Sequence, residues 1–156
     1  MPALIKAEPE VLLQAIVTSV RTKGEFVAQD VHEQSGIRSL LNFGHTLGHA
    51  LEAFWGYGSL LHGEAVAIGM NLAAQLSLEK GGLSQSDYSR IKALLKTSLL
   101  PLEQKNKANP EKLLAYLKHD KKVHEGRIKF ILLVAIGKAV LTDQVSFEDL
   151  KKIIPH

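Results

Sequence analysis

The stretch Arg38-Ser-Leu-Leu-Asn42-Phe-Gly-His45-Thr-Leu-Gly-His49-Ala-Leu-Glu52-Ala-Phe-Trp55 decides the fold. At about 100° per residue, Arg38, Asn42, His45, His49 and Glu52 fall within an arc of about 80°. Leu40, Phe43, Leu47, Leu51 and Phe54 fall on the opposite side. The pattern predicts a helix from about Gly36 to Trp55, with one face in a core and the other made of potential ligands. The Gly56-Tyr57-Gly58 turn stops it, because glycine readily takes the left-handed conformation that ends helices. A face meant only for water ordinarily carries Lys and Glu, whereas this one has Asn and two His in its middle turns. Gly44 and Gly48 lie beside the stripe, each costing about 1 kcal/mol relative to Ala in a helix interior, so another backbone or a ligand is expected to come close.

Working outward, His62 to about Lys80 reads as a buried central helix ending at Gly81-Gly82. Its small residues Gly63, Ala65, Ala67, Gly69, Ala73 and Ala74 alternate with Val66, Ile68, Met70 and Leu72. Antiparallel packing across the glycine turn carries His62 towards the His45 and His49 side. Upstream, Val11, Leu12, Ile16, Val17 and Val20 recur at helical intervals and predict an amphipathic helix from Pro9 to about Lys23. Downstream, Ser84 with Asp87 caps a helix to about Lys96, Asn109-Pro110-Glu111 opens one to about His119, and Ser146 with Asp149 caps a last one to Ile154. Ile128 to Val134 and Ala139 to Leu141 read as a hairpin around Gly137. The expected fold is mainly α: a multi-helix domain with a small β-hairpin near the C-terminus, residues 1–156 forming one domain.

Nineteen Lys and Arg against sixteen Asp and Glu give a formal charge of +3, with no long basic block, so nucleic-acid and membrane binding are not expected. Cysteine is absent, which excludes disulfides and thiolate metal sites. The first ten residues hold no apolar run of signal-peptide length, and the most apolar stretch, Ala65 to Leu78, is interrupted by Asn71 and Gln75. A soluble, cytoplasmic protein is expected.

Two His from neighbouring helices with one carboxylate suit Zn²⁺ and leave a position open for water or substrate. Glu52 and Glu64 are the local carboxylates. Thr46 follows His45, so the H-E-x-x-H pattern of metalloproteases is missing. The plainer alternative is a polar face that simply meets water. For Lys118, Lys121 and Lys122 it is a basic cluster offsetting a helix dipole.

The string from Arg38 to Glu52, followed by Gly56-Tyr57-Gly58 and Leu61-His62-Gly63-Glu64-Ala65-Val66-Ala67-Ile68-Gly69-Met70, closely resembles the C-terminal domain of 3-dehydroquinate synthase. Lys23, Asp30 and Glu33 upstream, Asp120-Lys121-Lys122, and Ala135-Ile136-Gly137-Lys138-Ala139 match as well. The resemblance implies that His45 and His62 are two of three protein ligands of a catalytic Zn²⁺ or Co²⁺, and that His49 moves protons near a departing phosphate. It further implies that Arg38, Asn42, Lys23 and one of Lys121 and Lys122 contact the substrate. Planar Arg can grip a carboxylate with two parallel hydrogen bonds, and compact Lys suits phosphate.

The implied reaction converts 3-deoxy-D-arabino-heptulosonate 7-phosphate to 3-dehydroquinate and phosphate, in the shikimate route to aromatic amino acids, with NAD used and regenerated. The family's third metal ligand, a Glu, and its NAD-binding domain lie upstream of the part corresponding to Met1. No G-x-G-x-x-G is present here, so the chain by itself is expected to be inactive and to need that N-terminal domain as partner. A homodimer is a further expectation. Competing readings are another sugar-phosphate cyclase of the 2-deoxy-scyllo-inosose synthase type, or a non-catalytic helical module that binds metal or phosphate.

Overall fold

The computed structural model describes residues 1–56, 58–103, 109–118, 123–124 and 127–154. The expectations for Tyr57, His119, Asp120, Lys121 and Lys122 therefore lie outside the described residues. The backbone divides into two compact units, Met1–Leu41 and Asn42–His156.

In the first unit a short helix α1, Pro2–Ile5, precedes the long helix α2, Pro9–Gln29. Pro9 opens α2, where a missing N–H costs nothing. The helix runs past the predicted end at Lys23: Gly24, with open space around it, weakens the helix by about 1 kcal/mol without stopping it. The stop comes at Asp30, whose backbone N–H donates to the Val27 carbonyl.

The Asp30 side chain then organises the following turn. Its Oδ1 accepts the N–H groups of Gln34 (2.8 Å) and Ser35 (3.1 Å), and its Oδ2 accepts the Arg38 N–H (3.1 Å). Burial works against the charged carboxylate, but these bonds, led by Arg38 and Ser35, outweigh it and lower the pKa from 3.8 to about 2. A folded-state pKa below the unfolded value stabilises the fold above the unfolded value, and that contribution disappears as pH falls through about 2. Thermal midpoints followed against pH should therefore separate the parent from Asp30→Asn most strongly above about pH 4, with the gap closing towards pH 2. A gap of constant size across that range would rule the assignment out.

A 3-10 turn, Arg38–Asn42, leads into the second unit, and helix α3 spans His45–Trp55. This corrects the continuous helix predicted from Gly36. Gly44 sits at φ 81° as the N-cap of α3, so Arg38 and Asn42 do not share a helical face with His45, His49 and Glu52. The reason lies in helix α4, His62–Leu76, because a Cβ at Gly44 would stand 2.5 Å from the Met70 nitrogen and 2.8 Å from its Cα. Only a residue without a side chain allows this approach, and the left-handed backbone there is also one that glycine adopts freely.

Helix α4 is the buried centre that its composition predicted. Ala65, Ala67, Ile68, Gly69, Leu72, Ala73, Ala74 and Leu76 are all covered. Its last turns widen into a π-turn, Ser77–Gly81, where strand β2, Arg127–Ala135, docks. The Ser77 hydroxyl donates to the Ala73 carbonyl (2.6 Å), which also accepts the Ser77 backbone N–H, and it accepts the Leu133 N–H (2.9 Å), tying the strand to the turn. Gly82, at φ 84°, ends the segment.

The remaining caps form as read. Ser84 accepts the Asp87 N–H at the start of α5, Gln85–Thr97. Asn109 accepts the Lys112 N–H at the start of α6, Pro110–Lys118. Ser146 and Asp149 form a reciprocal box at the start of α7, Phe147–Ile153. Lys80 reaches the same Asp149 carboxylate, and its ammonium, with the Ser146 hydroxyl, holds that group's pKa below the ordinary carboxylate range.

Strand β2 turns through Gly137 into β3, Lys138–Val145, and also pairs antiparallel with a two-residue strand β1, Val123–His124, which the sequence pattern did not reveal. Ile128, Phe130 and Leu132 point from β2 into a core shared with Leu47, Leu51, Leu72, Leu76, Leu113 and Leu150. Among the described residues no helix is long and apolar enough to cross a membrane.

Candidate metal centre

Helices α3 and α4 approach through glycine. A Cβ at Gly48 would lie 3.1 Å from the Val66 Cα, and one at Gly69 would overlap the Gly44 carbonyl oxygen and stand 2.8 Å from the Gly48 nitrogen. With main chain bearing on main chain, the first turns of α3 lie against the first half of α4, and their polar side chains meet at the rim.

Three imidazoles converge there. The ring centroids of His45 and His49 are 5.6 Å apart, those of His45 and His62 5.6 Å, and those of His49 and His62 5.8 Å. His45 is half-buried with its Nδ1 3.4 Å from the Phe43 carbonyl, while His49 and His62 are exposed. The approach of His62 to His45 and His49, expected from antiparallel packing, is what the structure shows.

The two candidate carboxylates part company. Glu64 accepts the Leu61 N–H at 3.1 Å and so caps α4. Glu52, one turn beyond His49, places its Oε2 3.1 Å from the His62 Nδ1. Among the described residues, His49, Glu52 and His62 can each offer one ligand atom, with all three atoms within 4.8 Å of one another. Ligands around a tetrahedral divalent ion, with bonds of about 2.0–2.2 Å, stand roughly 3.4 Å apart. Closing the set on an ion takes side-chain shifts on the order of 1 Å. The donors are imidazole nitrogen and carboxylate oxygen, which suit Zn²⁺ or Co²⁺. His45 lies outside this tightest set, although its ring is as near to His49 and His62 as they are to each other.

Asn42, at the end of the 3-10 turn, lines a small cleft with Thr46, Leu47, Ala73 and Phe130. Lys23, exposed on α2, and Arg38, half-buried with its Nη1 3.5 Å from the Val31 carbonyl, belong to the first unit. Lys121 and Lys122 lie outside the described residues. Two roles were missed in the sequence. Glu52 was visible in the stripe at i+3 from His49, but its pairing with His62 depends on the register of two helices; Asp30 carried no local signal as a turn organiser.

Residues 1–123 match the family model described as 3-dehydroquinate synthase C-terminal. The 3-dehydroquinate synthase of Prochlorococcus marinus (strain MIT 9215) is 44% identical over 142 residues, covering 91% of this chain and 39% of that protein. A solved 2-deoxy-scyllo-inosose synthase, complexed with carbaglucose-6-phosphate, NAD⁺ and Co²⁺, superposes with a TM-score of 0.80 at 29% identity, over 94% of this chain and 42% of that one. The 2-epi-5-epi-valiolone synthase of Streptomyces hygroscopicus subsp. jinggangensis 5008, with NAD⁺ and Zn²⁺ bound, gives 0.77 at 25%, over 94% of this chain and 40% of that one. The chain thus spans about two fifths of the length of the curated relative it matches. With the match running through the glycine-packed helices and all three histidines, this chain belongs to the 3-dehydroquinate synthase C-terminal family.

Proposed function

We propose that the chain is the metal- and substrate-holding part of a 3-dehydroquinate synthase. The whole enzyme converts 3-deoxy-D-arabino-heptulosonate 7-phosphate to 3-dehydroquinate and phosphate, with NAD bound mainly by a part that this chain does not cover. The observation that carries the reading is the convergence of His45, His49 and His62 within 5.6–5.8 Å in a member of this family. The bound sugar-phosphate analogue, NAD⁺, Co²⁺ and Zn²⁺ of the structural relatives support the same set of ligands here.

In this reading His45 and His62 hold Zn²⁺ or Co²⁺, with a carboxylate from the uncovered part as third ligand. Such an ion supplies Lewis-acid polarisation of a hydroxyl or carbonyl oxygen. His49, exposed beside them, exchanges a proton with the phosphate ester side of the substrate, a role for which imidazole is suited near neutral pH. Arg38 offers a planar fork for a carboxylate, Asn42 a donor and an acceptor for hydroxyls, and Lys23 with Lys121 or Lys122 point charges for phosphate.

Titration of the purified chain with Zn²⁺ tests the ligand set. His45→Ala and His62→Ala should each abolish measurable binding, and His49→Ala should retain it. Loss with His49→Ala but not with His45→Ala would replace the assignment by the tighter His49, Glu52 and His62 set. Phosphate release by the chain supplied with the uncovered part of the enzyme tests the activity. Release from the heptulosonate phosphate supports the dehydroquinate synthase, and release only from glucose 6-phosphate would favour the 2-deoxy-scyllo-inosose synthase type to which the structural similarity extends.

A further inference from the structure

Both oxygens of Glu52 face one ring nitrogen of His62, with Nδ1 lying 3.1 Å from Oε2 and 3.3 Å from Oε1. The Glu52 side chain is largely covered, 14% exposed, whereas that of His62 is 58% exposed. An ionised carboxylate can only accept, so the proton in this contact sits on the imidazole Nδ1. In a neutral ring that leaves the lone pair on Nε2, the nitrogen then available to a metal. An imidazole without such a partner is held to neither tautomer. Glu52 is itself fixed: it rides on α3 one turn after His49, and α3 is held to α4 by glycine contacts that leave little room for sliding.

We propose that Glu52 is a positioning residue that locks His62 in its Nδ1–H tautomer and presents Nε2 as the ring's metal-binding nitrogen. The carboxylate acts through the histidine and is not a ligand. Its purpose rests on the metal-holding reading above, but its geometry does not.

The test uses the ¹⁵N-labelled chain at about pH 8.5, two units above the ordinary imidazole range, with long-range proton–nitrogen correlation spectra of the histidine rings. In the parent, His62 should show the Nδ1–H tautomer. Glu52→Gln, whose amide oxygen still accepts, should keep it, and Glu52→Ala should shift it towards Nε2–H. Zn²⁺ affinity should fall roughly 10–100-fold in Glu52→Ala, as when the outer partner of a ligating histidine is removed, and by clearly less in Glu52→Gln. A His62 tautomer that is the same in all three chains would overturn the proposal. So would Zn²⁺ binding lost in Glu52→Gln as completely as in His62→Ala while the tautomer is kept, since Glu52 would then be a direct ligand. If the parent binds no Zn²⁺ yet the tautomer still follows residue 52, the Glu52 inference stands and the metal-holding reading falls.

Discussion

Gly69→Ala is expected to destabilise the Asn42–His156 unit by at least about 3 kcal/mol, at the upper end of what overpacking a core costs. The added methyl overlaps the Gly44 carbonyl oxygen and presses on the Gly48 nitrogen, and neither is the flexible end of a side chain that can rotate away. Relief requires α3 and α4 to separate, which breaks the core layer of Leu47, Leu51, Ile68 and Leu72 between them. Against a total stability of about 5–15 kcal/mol this is a large fraction, and a fall in the thermal midpoint on the order of 10 °C should register it. Gly63→Ala is the internal control. It lies on the same helix with nothing within 4 Å of the new methyl, so the change should be neutral or stabilising by up to about 1 kcal/mol. Equal midpoints for the two variants would show that the glycine contact is looser than the structure draws it.

The second large effect falls on chemistry. In the enzyme reconstituted with its uncovered part, His49→Ala should lower turnover by about 10²–10⁴-fold, the range for loss of a positioned proton-transfer group. Zn²⁺ affinity should stay close to that of the parent, because the proposed function gives the ring to the substrate and not to the ion. Turnover and metal content measured on the same preparation separate the two roles. Parallel loss of both would move His49 into the ligand set that its 4.8 Å grouping with Glu52 and His62 also permits.

The residues show why some of this was legible beforehand. Caps at Ser84, Asn109 and Ser146 are local: a hydroxyl or amide reaches an N–H three residues on, and sequence spacing contains the whole interaction. The burial of α4 was equally plain, since small and branched apolar residues cover all its sides. Gly44 shows the limit. Its cost in a helix signalled a close neighbour, and Met70 is that neighbour, yet the sign of a backbone angle is not written in a hydrophobic period. The helical wheel therefore joined Arg38 and Asn42 to a face that begins only at His45. The π-turn at Ser77 and the pairing of Glu52 with His62 were hidden for a related reason. Each needs a partner from another element, Leu133 in one case and the start of α4 in the other.

The glycine seam between α3 and α4 also sets a tolerance. Where two helices meet through side chains, the gap between them drifts whenever a leucine becomes a methionine or a valine. Here the spacing is gauged by peptide atoms that every amino acid shares, so the apolar lining can change by ordinary mutation while the distance between the histidines on one helix and the histidine on the other stays put.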